Sequence, residues 1–225
     1  MSDVKLADLR DVAVSCRENS MRFEGFRQNA LVSSLGWPDD VVEQFLYDHA
    51  DNIGFLRDYG DLDLSKIEWD VEVISVEEFI EMPTGASDDD CIEDFAANPD
   101  HWVRVRNRGI HIGVAQCWET HGTWKRWPIL IDRRLLDPPE SGLQVVEGRT
   151  RVGVLRGRHR QGTLVAERHL AWVGRHQTSV LEQLSRPVDP WRPEARRRRD
   201  VGRLVLGLVP GQEHAVGKRP GLHQG

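Results

Sequence analysis

The chain has 225 residues, 39% of them hydrophobic, and a formal net charge of −6. That length supports one core and a small second unit, and no run approaches the roughly 18–20 apolar residues that a bilayer span requires. The polar, acidic first 20 residues do not read as a secretory signal. The three cysteines, Cys16, Cys91 and Cys117, are too scattered for a disulfide framework, so a cytoplasmic location is expected. Charge is unevenly placed: residues 1–100 carry 25 acidic and 7 basic side chains, and the remainder carry 11 and 23. Such a split gives the second half a basic surface that suits phosphates. It equally allows the two halves to attract each other.

Residues 1–65 read as an acidic, helical region. Leu6, Leu9, Val12 and Val14 permit a short helix, and residues 33–36 form a turn. A clearer helix starts at Trp37-Pro38-Asp39-Asp40, with proline in the first turn and two aspartates at the positive end of the dipole. Val41, Val42, Phe45 and Leu46 give it an apolar face, and Phe55, Leu56 and Tyr59 continue a helical pattern up to Gly60. After a connector, residues 67–75 alternate with period two, placing Ile67, Trp69, Val71 and Val73 on one face of a half-buried strand. Ser75 then serves as N-cap of a short helix, with Glu78 in the capping-box position and Pro83 and Gly85 beyond its end.

Residues 87–97 suit another helix. Residues 102–112 alternate Trp102, Val103 and Val105 against Arg104, Arg106 and Arg108, which reads as a strand or extended loop with a basic face. Residues 113–127, rich in tryptophan, carry no clear period. Residues 128–132 form an apolar, branched strand, residues 137–142 a turn, and residues 143–146 a second strand. Glu147-Gly148-Arg149-Thr150-Arg151 then opens a helix. Short β-like pieces follow at 164–165 and 170–173. Residues 176–225, with five prolines and the run Arg196–Arg199, have the composition of a poorly ordered tail. Their Arg/Pro/Gly/His bias also fits a non-native extension.

The strand–turn–strand–box sequence at 124–157 carries the strongest functional signal. A glycine between strand and helix lets backbone amides approach an anion, and the helix dipole favours negative charge there. Arg149 and Arg151 add fork-shaped donors suited to phosphate. The run resembles the ParB/sulfiredoxin superfamily, in particular its ParB-like N-terminal nuclease-type domain. Residues 128–131 and 143–146 correspond to its two strands, and Gly148 and Arg151 fall on the glycine and arginine of its Gly-x-x-Arg box. Residues 69–82 are similar to the way such domains begin.

The resemblance implies a small mixed-sheet α/β domain over about 66–175, whose box binds the phosphate of a nucleotide. Family members include nucleotide-dependent DNA clamps, nucleases, kinases and sulfinic-acid reductases. Arg149 stands where the reductases place a cysteine, which argues against that chemistry. No paired helices follow the box to supply the DNA-reading module of partitioning proteins.

The implied function is therefore nucleotide or nucleic-acid phosphate binding through Gly148, Arg149 and Arg151. An enzyme of the same fold, a nuclease or phosphotransferase using a nucleoside triphosphate with Mg²⁺, is the first alternative. It would need carboxylates from Glu77, Glu78 or Asp132. A protein-interaction adaptor is the second, and a homodimer is compatible with any of these. Supporting roles fall to Glu147, which would orient an arginine, and to His169, as a general base near the box. Arg104 and Arg106 would line a phosphate groove. Each has a plainer reading as a solvated or packed side chain. Asp88, Asp89, Asp90 and Glu93 read as the acidic first turn of a helix rather than a Mg²⁺ site. Cys117 and His121 lack the spacing of a zinc site, so no metal is expected. Trp118, Trp124 and Trp127 are expected to pack rather than stack on a base.

Overall fold

The computed structural model describes residues 3–19, 21–88 and 90–177. The expected tail from 178 onward lies outside them.

The N-terminal region is helical. A 3-10 turn, Leu6–Leu9, leads into α1 (Arg10–Glu18), followed by α2 (Arg22–Gln28) and α3 (Ala30–Ser34). The helix expected at Asp39 starts there as α4 (Asp39–Val41), with Pro38 at its N-cap. It then widens into a π-helical stretch, Val42–Tyr47, before α5 (Ile53–Tyr59). The wider turn is closed by Asp48 N donating to the Glu43 carbonyl at 3.0 Å. π-helical turns are rare and often sit beside functional sites.

Strand β1 (Ile67–Ser75) runs directly into α6 (Val76–Glu81). The capping box is formed as its sequence predicts. Ser75 Oγ accepts from Glu78 N at 3.2 Å, and Glu78 Oε2 accepts from Ser75 N at 3.1 Å. α7 (Cys91–Ala97) follows, and then the first departure from expectation. Residues 102–106, the start of the stretch 102–112 expected as a strand or extended loop, belong to a helix, α8 (Pro99–Arg106). Asn98 caps it, accepting from His101 N at 3.3 Å, and Pro99 occupies the first turn, where its missing N–H costs nothing. Val103 is buried under it. A 3-10 turn at Gly109–His111 joins α8 to α9 (Val114–His121), within the stretch whose sequence has no clear period.

β2 (Ile129–Asp132), β3 (Leu143–Glu147), α10 (Arg149–Arg160) and β4 (Arg168–His176) complete the fold. β4 is one strand of nine residues rather than two short pieces, with residues 164–165 lying in the connector before it.

The sheet order is β1-β4-β2-β3. β4 is antiparallel to β1 and parallel to β2, and β2 is antiparallel to β3, which makes the sheet mixed. Both faces are covered. Side chains alternate across a strand, so each strand feeds two cores. Ile67, Ile129, Ile131, Val146 and Trp172 meet Leu9, Phe26, Phe45, Phe55 and Tyr59 from the N-terminal helices. Ile74, Leu130, Val145, Ala171 and Val173 meet Phe79, Ile92, Trp118, Val152 and Leu155 on the other side. Residues 1–65 therefore share a core with the sheet. The face predicted for Ile67, Trp69 and Val71 joins that core, while Val73 emerges 49% exposed at the end of the strand.

α10 lies close against α7. A Cβ on Gly153 would fall 2.7 Å from the Ile92 carbonyl oxygen, so that approach requires glycine. Among the described residues no helix is long and apolar enough to cross a membrane.

Candidate functional site

β3 delivers Glu147 to the start of α10, and Gly148 makes the turn. Its φ of 100° lies in the left-handed region. A Cβ there would come within 2.7 Å of Pro128 Cβ and 2.9 Å of Arg151 Nε, so glycine is demanded twice over. No side chain caps α10. The backbone N–H groups of its first turn are left for solvent or a ligand, as at any helix start.

The two box arginines face inward. Arg151 Nη1 donates to the carbonyls of Arg126 and Trp127, each at 3.0 Å. Its Nη2 donates to Gln44 Oε1 at 2.8 Å and Glu147 Oε1 at 3.2 Å. Arg149 Nη1 donates to the Val146 carbonyl at 2.8 Å and sits 2.9 Å from Asp88 Oδ2. Both guanidiniums thus tie the box to the N-terminal region and the 84–88 segment. Glu147 Oε2 also accepts from His49 Nε2 at 3.1 Å. Burial would raise the Glu147 carboxyl, but the His49 hydrogen bond and the charges of Arg151 and Arg149 outweigh it and hold the group at about 2. Burial pulls Arg151 below its ordinary value, against the attraction of Glu147.

Beside this network a cleft of about 270 Å³ opens at the N-terminus of α10. Gly148, Thr150 and Arg151 line it, together with Glu43 and Gln44 of the π-helical stretch and Asp48 at its C-cap. Trp102 and Arg106 of α8, His111 of the following turn, Lys125 and Arg126 also line it. Trp118 and Trp124 back it and are almost fully buried.

Several of these polar groups are already paired. Arg126 pairs with Asp40 and Glu43, and Lys125 Nζ donates to the Ile112 carbonyl at 2.6 Å. The side chains of Asp48 and Arg106 make no hydrogen bond or ion pair among the described residues. Desolvation in the cleft, and then the nearby Glu43, raise Asp48 above the usual carboxylate range. Burial first, and then the surrounding Arg126, Arg151, Arg106 and Lys125, push His111 down.

The structure brings Glu147, Gly148, Arg151 and Arg106 to one cleft. Arg149 pairs with Asp88 outside the lining, and Arg104 is exposed on α8, also outside it. Glu78 is spent on its capping box, and Glu77 is exposed on the same helix. Asp132 is buried and paired with Arg134 and Arg175. None of the three carboxylates expected to serve an enzyme reaches the box.

His169 is 2% exposed, with Nδ1 2.8 Å from Thr123 Oγ1 and its ring against Trp124. Burial lowers it to about 4, and it does not line the cleft. Asp88 pairs with Arg149, and Glu93 with Arg156 and Arg160. No cluster of metal-ligating side chains occurs among the described residues.

Asp48, His111 and Lys125 escape a reading of the sequence. Asp48 lies more than 60 residues from the other two in the chain, and only the Trp-Lys-Arg-Trp run at 124–127 hints at a site. Comparison with family models, curated proteins and solved structures finds no match to this chain.

Proposed function

We propose that the cleft at the start of α10 binds a phosphate group carried by a nucleotide or a nucleic acid. The observation that carries this reading is an uncapped twelve-residue helix opening into a cleft beside Thr150 and the unpaired Arg106. Unsatisfied amides and the dipole together make such a terminus attractive to an anion. The box contributes through the left-handed Gly148 and its amides, while Arg149 and Arg151 hold that turn in place.

Thermal shift with inorganic phosphate, CTP, ATP and ADP, with and without Mg²⁺, tests it. A ligand that binds only the folded state raises Tm. Arg106→Ala and Thr150→Val should reduce the rise, and the absence of any rise at millimolar ligand would overturn the proposal.

A second reading, phosphoester hydrolysis, is favoured by Asp48, a carboxylate on the cleft whose side chain has no partner among the described residues and whose pKa is raised by burial and then by Glu43. Turnover of labelled nucleotide that is lost in Asp48→Asn would support it. Failure of every nucleotide to bind leaves the adaptor reading, which the inward commitment of Arg149 and Arg151 fits.

A further inference from the structure

We infer that the open edge of β1 is a docking site for an extended basic peptide segment of another protein, which joins the sheet as an added outer strand. Its side chains alternate between apolar residues and Lys or Arg.

The sheet ends in β3 on one side and β1 on the other, and the two edges differ. The 83–84 segment seals β3. Val145 N donates to the Pro83 carbonyl at 2.8 Å, and Thr84 Oγ1 donates to the Val145 carbonyl at 2.9 Å. β1 pairs with β4 on one side and, among the described residues, with no strand on the other. Beyond its two ends, Gln177 N donates to the Lys66 carbonyl at 2.8 Å and Val76 N to the Glu167 carbonyl at 3.0 Å. Hydrogen-bonded pairs alternate along an antiparallel ladder, so the even-numbered residues of β1 bond to β4 and the odd-numbered ones turn outward. Ile67 N is taken by the Leu64 carbonyl and Ser75 N by the capping box of α6. The outward amides and carbonyls of Trp69, Val71 and Val73 have no partner among the described residues. Such a row is a template for another strand.

The register sets the chemistry of that strand. Val71 and Val73 lie opposite Trp172 and Leu170, on the face of the N-terminal helices. The helical cover stops short of the end of β1, where Val73 is 49% and Leu170 37% exposed. Glu68, Asp70 and Glu72 share the opposite face. Glu72 is engaged by Arg175, but Glu68 is exposed, and residues 61–81 hold eight acidic side chains against one lysine. Arg168 lies opposite Ser75 and so on the apolar face, away from these carboxylates. A second copy of β1 laid alongside would set carboxylate beside carboxylate, which is destabilising. A strand with cations on that face and apolar side chains on the other satisfies both. Main-chain bonds then supply affinity and the alternate side chains specificity.

The test is fluorescence anisotropy of the full chain with a labelled peptide matched to the nine residues of β1, lysine alternating with valine or threonine. It should bind about tenfold more tightly than a peptide of the same composition with its lysines in one block, and than its glutamate counterpart. Added salt should weaken it. N-methylation of one alternate set of peptide amides should abolish binding, and of the other set should leave it unchanged, because only one set faces β1. Glu68→Lys/Val73→Lys, at two exposed positions, should lower affinity about tenfold without touching either core. Hydrogen exchange at Trp69, Val71 and Val73 should be fast in the free chain and slowed by the peptide.

Equal binding of the block or glutamate peptide, equal tolerance of both methylation patterns, or a double variant that binds as the parent does would each overturn the inference. So would slow exchange of those three amides without peptide, because the edge then has a resident. Protection that grows with protein concentration would identify it as a second copy, and protection that does not as another stretch of the same chain.

Discussion

At position 148 the backbone is left-handed and a methyl group would press on Pro128. Gly148→Ala should therefore cost about 2 kcal/mol in urea unfolding, within the range for a strained non-glycine residue. Arg151 matters in a different way from the one its place in the box suggests. Its guanidinium bridges Glu147, Gln44 and two carbonyls while remaining 19% exposed. Arg151→Met should cost about 2 kcal/mol, below the full penalty for breaking a buried pair because some water reaches the site. Denaturant unfolding of the variant measures this. Loss of ligand binding in such a variant would report a collapsed turn as much as a lost contact, so Arg106 and Thr150 are the better probes. The glycine's role was legible in the sequence, because a strand-to-helix glycine has few other uses. The destination of the arginines was not, because a guanidinium reaches several partners and the sequence does not say which are near.

Among the elements, those with local signals were readable. β1, the capping box of α6, the β2–β3 pair and the start of α10 all follow from period, cap residues and turn glycines. α8 was not. Its alternation of valine and arginine imitates a strand, but Asn98 and Pro99 give a helix start, and burial of Val103 with the edge contact of Trp102 on Phe95 fixes the outcome. Asn98→Ala should cost about 1 kcal/mol and reduce helical ellipticity, both measurable in one thermal melt. The π-helical turn was equally hidden. Its residues have ordinary helical spacing, and the extra residue is accommodated only as Phe45 and Leu46 enter the core while Glu43 and Gln44 turn to the cleft.

At the scale of the whole molecule, buried titratable groups tie stability to pH. His169 titrates near 4 when folded, against about 6.5 unfolded. Between those values the unfolded chain binds the proton and the folded chain does not. Stability is therefore full above the unfolded value and falls as pH drops towards 4, by an amount on the order of 3 kcal/mol. Glu147, held at about 2, acts lower down: its contribution is present above about 4.5 and is lost as pH falls towards 2. Urea unfolding from pH 7 to 4 should show the first decline, and His169→Gln should flatten it.

The sequence by itself determined the mixed α/β class, most of the strands and the glycine turn, because periodicity, capping and left-handed backbone are set by near neighbours. Only the tertiary structure decided that residues 1–65 and the sheet share a core, that Arg149 and Arg151 face inward, and that Asp48, Arg106, His111 and Thr150 meet at one cleft. Those pairings join segments far apart in the chain, and packing the two faces of the sheet, not any local pattern, selects them.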